Sequence, residues 1–372
     1  MNNFDYDILI IGGGVIGLTL ACALRNAPLK IALVSGHHTA DRRVSAINRA
    51  SQHIFESLGI WKAIGAQGIS PYQAMQVWEA EGRPPLDFNC VEVGEPNLGY
   101  IIENQAILSA LKGAIDTSPI KCYTELNWQN LSAHLIVGAD GARSHVRAWA
   151  DIEIAQHDYD HHALVTTVQT ELPHQRTARQ IFLSTGPLAF LPLVDPHQCS
   201  IVWSSSPEHI QQLVHRAPDE FKVALEQAFE YKLGQLTLLT DRLSFPLRMQ
   251  HAQQYVKKGV ALIGDAAHTL HPLAGQGMNL GLLDAACLAE VLFNAVGKNR
   301  DIGSLSTLRR YERWRKGHNS AMLMAMDGFL KPLLRKTGLQ IAANIPAIKR
   351  AFMRHAVGLA GDLPELAQLS TR

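Results

Sequence analysis

Apolar residues follow two rhythms along the chain. Near its start, Asp7-Ile8-Leu9-Ile10-Ile11 is a short, almost unbroken apolar run, the pattern of a strand buried on both faces of a parallel sheet. Gly12-x-Gly14-x-x-Gly17 follows and opens an apolar helix through Leu20 and Leu24, after which Lys30-Ile31-Ala32-Leu33-Val34 predicts a second strand. Two later runs also end in glycine and aspartate. Leu135-Ile136-Val137 leads into Gly138-Ala139-Asp140-Gly141-Ala142-Arg143-Ser144. Val260-Ala261-Leu262-Ile263 leads into Gly264-Asp265-Ala266-Ala267-His268, with Pro272 and then Gly275-Gln276-Gly277-Met278-Asn279 opening a long helix. Elsewhere the rhythm is alternating and β-branched, as in Leu164-Val165-Thr166-Thr167-Val168, and predicts a second sheet.

The first glycine turn has a chemical reason. Gly12 makes the tight turn, Gly14 lets backbone approach a pyrophosphate, and Gly17 permits close packing of helix on strand. The phosphates would meet free N–H groups at the helix start. Alone the spacing is a weak signal, but a strand before it and a helix after it supply the required context. The second strand would normally end in an acidic residue for the ribose hydroxyls; here it ends in Ser35, which predicts weaker binding of an adenosine group. The uncharged stretch from Ile8 to Leu24 also resembles a leader or a membrane span. Asp5 and Asp7 ahead of it, its glycines and its length favour strand, turn and helix.

Composition narrows the class. Apolar residues make up 47% and charged residues 18% of the 372, which excludes disorder and allows about two domains. Lysine plus arginine number 34 against 33 acidic residues, a net charge of +1 that gives no field for nucleic acid. Cys22, Cys90, Cys122, Cys199 and Cys287 are scattered, with no C-x-x-C pair, and suggest a reducing cytoplasm. His157, His161 and His162 cluster, but no constellation completes a metal site, so none is expected.

The three glycine motifs together resemble those of the group A flavoprotein aromatic hydroxylases. Finer text is similar to the ubiquinone-biosynthesis hydroxylases of the UbiH/UbiF/VisC type: Arg43-Val44-Ser45-Ala46-Ile47-Asn48, Glu103-Asn104, Gly186 to Leu193, Ser200-Ile201-Val202-Trp203 and His271 to Gly277. The tract from Asp158 to Trp203 is most similar to the VisC (UbiI) type, a 2-polyprenylphenol hydroxylase, and the likeness runs from about Phe4 to Pro364. It implies an α/β fold: a Rossmann-like FAD-binding domain, an inserted β-sheet substrate domain and a C-terminal helical segment. The expected division is 1–70, 98–157 and 251–300 for FAD, 71–97 and 158–250 for substrate, and 301–372 for the helical region.

The same resemblance implies how the cofactor is held. Gly12, Gly14 and Gly17 cradle the FAD pyrophosphate, Arg43 reaches the same region, Ser35 faces the ribose, and Asn104 lies near the ribityl chain. Asp140 serves FAD and NAD(P)H handling. Gly264 and Asp265 meet the ribityl hydroxyls, and Pro272, Gly275, Gly277, Met278 and Asn279 face the flavin ring. Local roles stay open: Arg43 as a surface cation, Asp140 and Asp265 as turn formers or caps, Asn104 as a cap for a helix beginning near Gln105. His268 is readable as a packing residue or a proton carrier, and no side chain is assigned to catalysis.

The implied reaction is hydroxylation of a polyprenylated phenol in ubiquinone biosynthesis, through FAD reduced by transiently bound NAD(P)H and a flavin hydroperoxide. Alternatives are a hydroxylase of a small soluble phenol and a flavin-poor scaffold subunit. Molecular oxygen is the co-substrate, and subunits of a biosynthetic complex, a second copy and the inner membrane surface are partners left open. The stretch from Ala321 to Gly361 mixes apolar and basic residues and suits either a membrane surface or internal packing. Two departures stand out: the loop from Gly36 to Arg42 is brief, and between Lys121 and Leu135 there is no room for the family's strand-turn-strand, through trimming or missing residues.

Overall fold

The computed structural model describes residues 4–36, 43–80, 85–124, 127–269, 276–330 and 345–368. Its first layer is a six-stranded sheet in the order Val256–Lys257, Val260–Leu262, Ala133–Gly138, Tyr6–Ile11, Ile31–Ser35, Lys121–Thr124. All neighbours are parallel except the first hairpin. The run that begins the chain is the interior strand, with Ile8 beside both Ile31 and Leu135 and fully buried. Helix Val15–Leu24 packs on helix Gln276–Gly297, and a single large apolar cluster joins sheet and helices. The longer of these helices could cross a membrane by length and composition, but 72% of its apolar window is buried inside the molecule, as a core helix is.

The second layer is a nine-stranded sheet. One of its faces is covered by helices Pro207–His215 and Pro218–Ala228, which bury Leu164, Phe190, Ile201 and Trp203. Strand Ile154–Thr170 pairs with Leu243–Ala252 from Ile154 onward, so the sheet takes in residues 154–157 and 251–252 that were expected in the FAD unit. A three-stranded sheet of Val44–Ile47, Gly99–Glu103 and Ser70–Tyr72 stands apart from both. Helices Leu305–Leu330 and Pro346–Ala356 form the C-terminal region.

Between strand Lys121–Thr124, at the sheet's edge, and strand Ala133–Gly138, beyond two others, only eight residues intervene. Their described part holds one short 3-10 turn, Trp128–Asn130. Because the two strands are parallel, these eight residues, which reach up to ~26 Å, must return along the strand direction as well as cross three strand spacings of about 4.8 Å, and that leaves no length for a hairpin.

Candidate functional site

The three glycine motifs converge at the carboxyl ends of the parallel strands. Gly12 sits at φ +122, and a Cβ there would lie 2.2 Å from the Ala139 carbonyl oxygen; one on Gly17 would lie 1.9 Å from the Gly12 oxygen. Side chains are excluded at both by packing. The first motif meets the third through Ile16, against which Gly264 and Gly281 press closely enough that added Cβ atoms would stand at 3.2 and 2.8 Å. The second meets the third through Arg147, whose guanidinium donates to Ala142 O at 2.8 Å and Ala266 O at 2.9 Å, and through the Ile263 N–H on Gly138 O.

Against these tight contacts, Gly14 and Gly277 each face open space, with nothing within 4 Å of a Cβ built there. Gly14 is the N-cap of helix Val15–Leu24, whose first turn has no capping side chain and no acidic residue. This leaves backbone N–H groups and a positive helix end for an anion. Asp265 is exposed to solvent, yet the protein around it raises its carboxyl above the ordinary carboxylate range, with His268 and Arg43 pulling the other way. Water reaches this carboxylate although protein walls it in, so it lies in a cleft. Arg43 stands on the same cleft, 5.8 Å from the Phe245 ring of the nine-stranded sheet. An open glycine turn at a helix start, a cation and a walled carboxylate fit a flavin dinucleotide, whose pyrophosphate is anionic and whose ribityl chain donates hydrogen bonds.

Other expected residues are placed in supporting positions. Asp140 accepts from Ser144 Oγ at 2.5 Å and from the His145 and Val146 N–H groups at 2.7 and 3.2 Å, so it ties down helix His145–Trp149. Asn104 is the first residue of helix Asn104–Asp116, not a cap before it, and its Oδ1 accepts from Ser45 Oγ at 2.6 Å. Asn279, 1% exposed, accepts from the Asn48 N–H and Ser51 Oγ and donates to Ala46 O. These two amides pin the strand Val44–Ile47 that follows Arg43. Ser35 donates to Tyr123 O at 3.3 Å, which engages its hydroxyl within the sheet. Met278 is half-buried in the first turn of its helix; Pro272 and Gly275 lie outside the described residues.

One functional group escaped the motif reading. Asp284, fully buried, accepts from the Gly264 N–H at 3.1 Å, His268 Nε2 at 2.5 Å, Arg315 Nε at 2.8 Å and Asn319 Nδ2 at 3.1 Å. Burial alone would raise its carboxyl; His268 and Arg315 outweigh it and hold the group below the ordinary carboxylate range. His268 is thus the partner of a buried anion. The signal available in sequence was the long apolar helix itself, where an aspartate amid Leu282, Leu283, Ala285 and Ala286 needs a charged partner.

Fold and site together define a flavin-dinucleotide-binding protein with a sheet facing its cofactor cleft. Among solved structures, PqsL of Pseudomonas aeruginosa, a probable FAD-dependent monooxygenase, superposes with a TM-score of 0.76 at 21% identity, covering 90% of this chain and 99% of that one. The FAD binding domain family matches residues 116–325. Escherichia coli 3-demethoxyubiquinol 3-hydroxylase is 35% identical over 96% of this chain and 100% of its own length. The ubiquinone hydroxylase UbiL of Rhodospirillum rubrum is 33% identical over 98% and 92%. The chain belongs to the family of FAD-dependent hydroxylases of ubiquinone biosynthesis. The E. coli alignment spans 394 positions against the 372 residues here, so that relative carries segments this chain lacks.

Proposed function

We propose that this enzyme hydroxylates the aromatic ring of a polyprenylated phenol on the route to ubiquinone, in the cytoplasm and in peripheral contact with the inner membrane surface. One observation carries the substrate class: on the sheet face that bears Phe245, the ring beside Arg43, the central cross-strand row is largely apolar and partly open, with Thr167, Ser200 and Ser204 in the rows beside it. A single cross-strand row runs Leu243, Val165, Val202, Ala189, Gln180, Val77. Leu243 is exposed, and Val165, Val202 and Ala189 are half-buried, whereas the opposite face is sealed by helices. Such a row suits a hydrocarbon and an uncharged ring: Gln180 is its one polar member and no charged side chain stands in it.

Bound FAD, reduced by NAD(P)H, supplies the activated oxygen atom that becomes the new ring hydroxyl. The chain's own share is to bind, orient and exclude water. Gly12, Gly14 and Gly17 would take the pyrophosphate at the helix start, with Arg43 as a second positive group. Asp265 would accept from the ribityl hydroxyls beside Gly264, and Gly277 and Met278 would present backbone to the ring. Asp140, Asn104 and Asn279 act through the turns and the strand they tie down. With the strand pairing moving 154–157 and 251–252 to the second sheet, the proposed units are 1–70, 98–153 and 253–300 for FAD and 71–97 and 154–252 for substrate, with 301–372 as the C-terminal helical region.

The test is turnover by FAD-reconstituted protein with NADH or NADPH, oxygen and a prenylated phenol, read as product one oxygen heavier. Asp265→Ala is expected to weaken FAD binding about 10- to 100-fold, the worth of hydrogen bonds to a charged group. Turnover of small unprenylated phenols alone would move the enzyme to a soluble substrate. Protein that takes up no FAD when supplied with it would leave only a scaffold role.

A further inference from the structure

The pairing of strand Ile154–Thr170 with Leu243–Ala252 is interrupted between Asp158 and His161, where Asp160 takes φ +49. A bulge re-aims the side chain beside it, and bulges collect next to active sites. Here the side chain beside it is His161. Alternation along the strand puts it on the face that carries Ala163 and Val165, directly opposite Leu247. Phe245, its diagonal neighbour, lies ~7–8 Å away in such a ladder, and that ring stands 5.8 Å from Arg43. In the other direction the same face reaches His251 and, opposite it, His268 of the third glycine motif. His161 thus stands between the apolar row that begins at Leu243 and the turn that carries Asp265.

Its surroundings suit it to receive a proton. Pairing with strand Gln198–Ser205 ends at His162, so that strand does not cover His161, which is half-buried. Burial holds the imidazole below its ordinary 6.5, and the charge of Asp160 offsets this only in part. A neutral imidazole keeps one nitrogen lone pair as a base. Among the described residues of this face the other ionisable side chains are His251, His268 and Glu79. His251 bonds Tyr255, His268 bonds Asp284, and Glu79 is four strands away, ~19 Å at ordinary spacing. Arg43 and Asp265 face the cleft from the cofactor side.

We propose that His161 is the general base that takes the phenolic proton of the substrate while the new oxygen is added to its ring. The inference rests on the phenol proposed above. As a ring carbon ortho or para to the hydroxyl bonds the activated oxygen atom, the phenolic O–H bond breaks. Its electron pair forms a ring carbonyl, and its proton passes to the imidazole nitrogen. The carbon that gained oxygen then loses its hydrogen as a proton, and the carbonyl takes back the proton held by His161, which restores the aromatic ring. NAD(P)H supplies the electron pair that carries the second atom of molecular oxygen to water.

The test compares full-length, FAD-loaded parent enzyme with His161→Gln and His161→Ala on a short-chain prenylphenol in solution. In His161→Gln, kcat is expected to fall about 100-fold with KM within about twofold, the usual worth of a general base. The parent's kcat should decline on acidification below pH 6.5, as the imidazole takes up protons, and this limb should be absent from His161→Gln. Added imidazole should restore part of the rate of His161→Ala. In resting oxidised enzyme, the phenol should shift one histidine 15N resonance, the one missing from the His161→Gln spectrum. Unchanged kcat in His161→Gln, an acid limb that persists there, or a loss in His161→Ala that imidazole does not relieve would each overturn the assignment. So would a parent without an acid limb, a result that needs neither variant to fold. A parent that turns over no prenylphenol would overturn the substrate reading itself, and this assignment with it.

Discussion

At the residue scale the three glycines of the first motif do opposite jobs. Gly12 and Gly17 are required by the protein's own packing, since their absent Cβ atoms would collide with backbone at 2.2 and 1.9 Å. Gly14, at φ −76 with open space beside it, could accept a methyl group without strain. Gly17→Ala is therefore expected to destabilise the FAD-free protein by about 2–3 kcal/mol, the cost of overpacking. Gly14→Ala should leave that stability within ~0.5 kcal/mol while weakening FAD binding at least ~10-fold, because the methyl occupies the approach of the pyrophosphate. Urea unfolding without flavin and a flavin-fluorescence titration separate the two; FAD affinity retained by Gly14→Ala would remove the pyrophosphate from this turn. The motif spacing announced this division because glycine turns act through backbone within a few residues. Ser35 was equally legible as a departure, but not that its hydroxyl is spent on Tyr123, since that strand lies far off in sequence.

At the scale of elements, the polar core around Asp284 locks the Gly264–His268 turn to helices Gln276–Gly297 and Leu305–Leu330. The carboxylate receives donors from both helical and loop partners, and Tyr311 adds a separate bond to Leu262 O at 2.8 Å. Removing one partner of a buried charge set leaves the others uncompensated, so Asp284→Ala is expected to cost about 3–5 kcal/mol. Tyr311→Phe, which deletes one neutral bond, should cost about 1 kcal/mol. Denaturant unfolding of both variants decides it, and equal losses would show that the Asp284 cluster does not act as a charged unit. Parallel strands were readable from sequence as apolar runs. This cluster was not, because Arg315 and Asn319 lie 31 and 35 positions from Asp284 and meet it only once the helices pack. The strand Ile154–Thr170 shows the same limit: its β-branched middle is plain, but its start is set by pairing with Leu243–Ala252.

At the scale of the whole molecule, two half-buried imidazoles sit on the seams between layers. His251, on the sheet strand Leu243–Ala252, bonds Tyr255 at 2.9 Å, and His318, on the long C-terminal helix, lies 5.5 Å from the His355 ring of the last helix. Burial first, then the positive charge of His268 and Lys316, pushes His251 down to about 4 from an ordinary 6.5. Burial, Arg315 and His355 push His318 down to about 4 as well. Between those values both stay neutral in the fold while the unfolded chain takes up protons, so the unfolded state binds more protons and is favoured as pH falls. Their contribution is complete above about pH 6.5 and is lost progressively toward pH 4. Ordinary carboxylates titrate mainly below that window's centre, and His161, His174 and His209 are lowered by burial too, so a fall in Tm between pH 6.5 and 5 reports the histidines as a group. Thermal unfolding at half-unit steps should show it, and a His251→Gln/His318→Gln variant should lessen the slope there, the remainder belonging to His161, His174 and His209. A Tm that is constant or rising over the same interval would mean that these imidazoles already carry protons in the fold. The seams between sheet, cofactor layer and C-terminal helices would then be held by charge and not by burial.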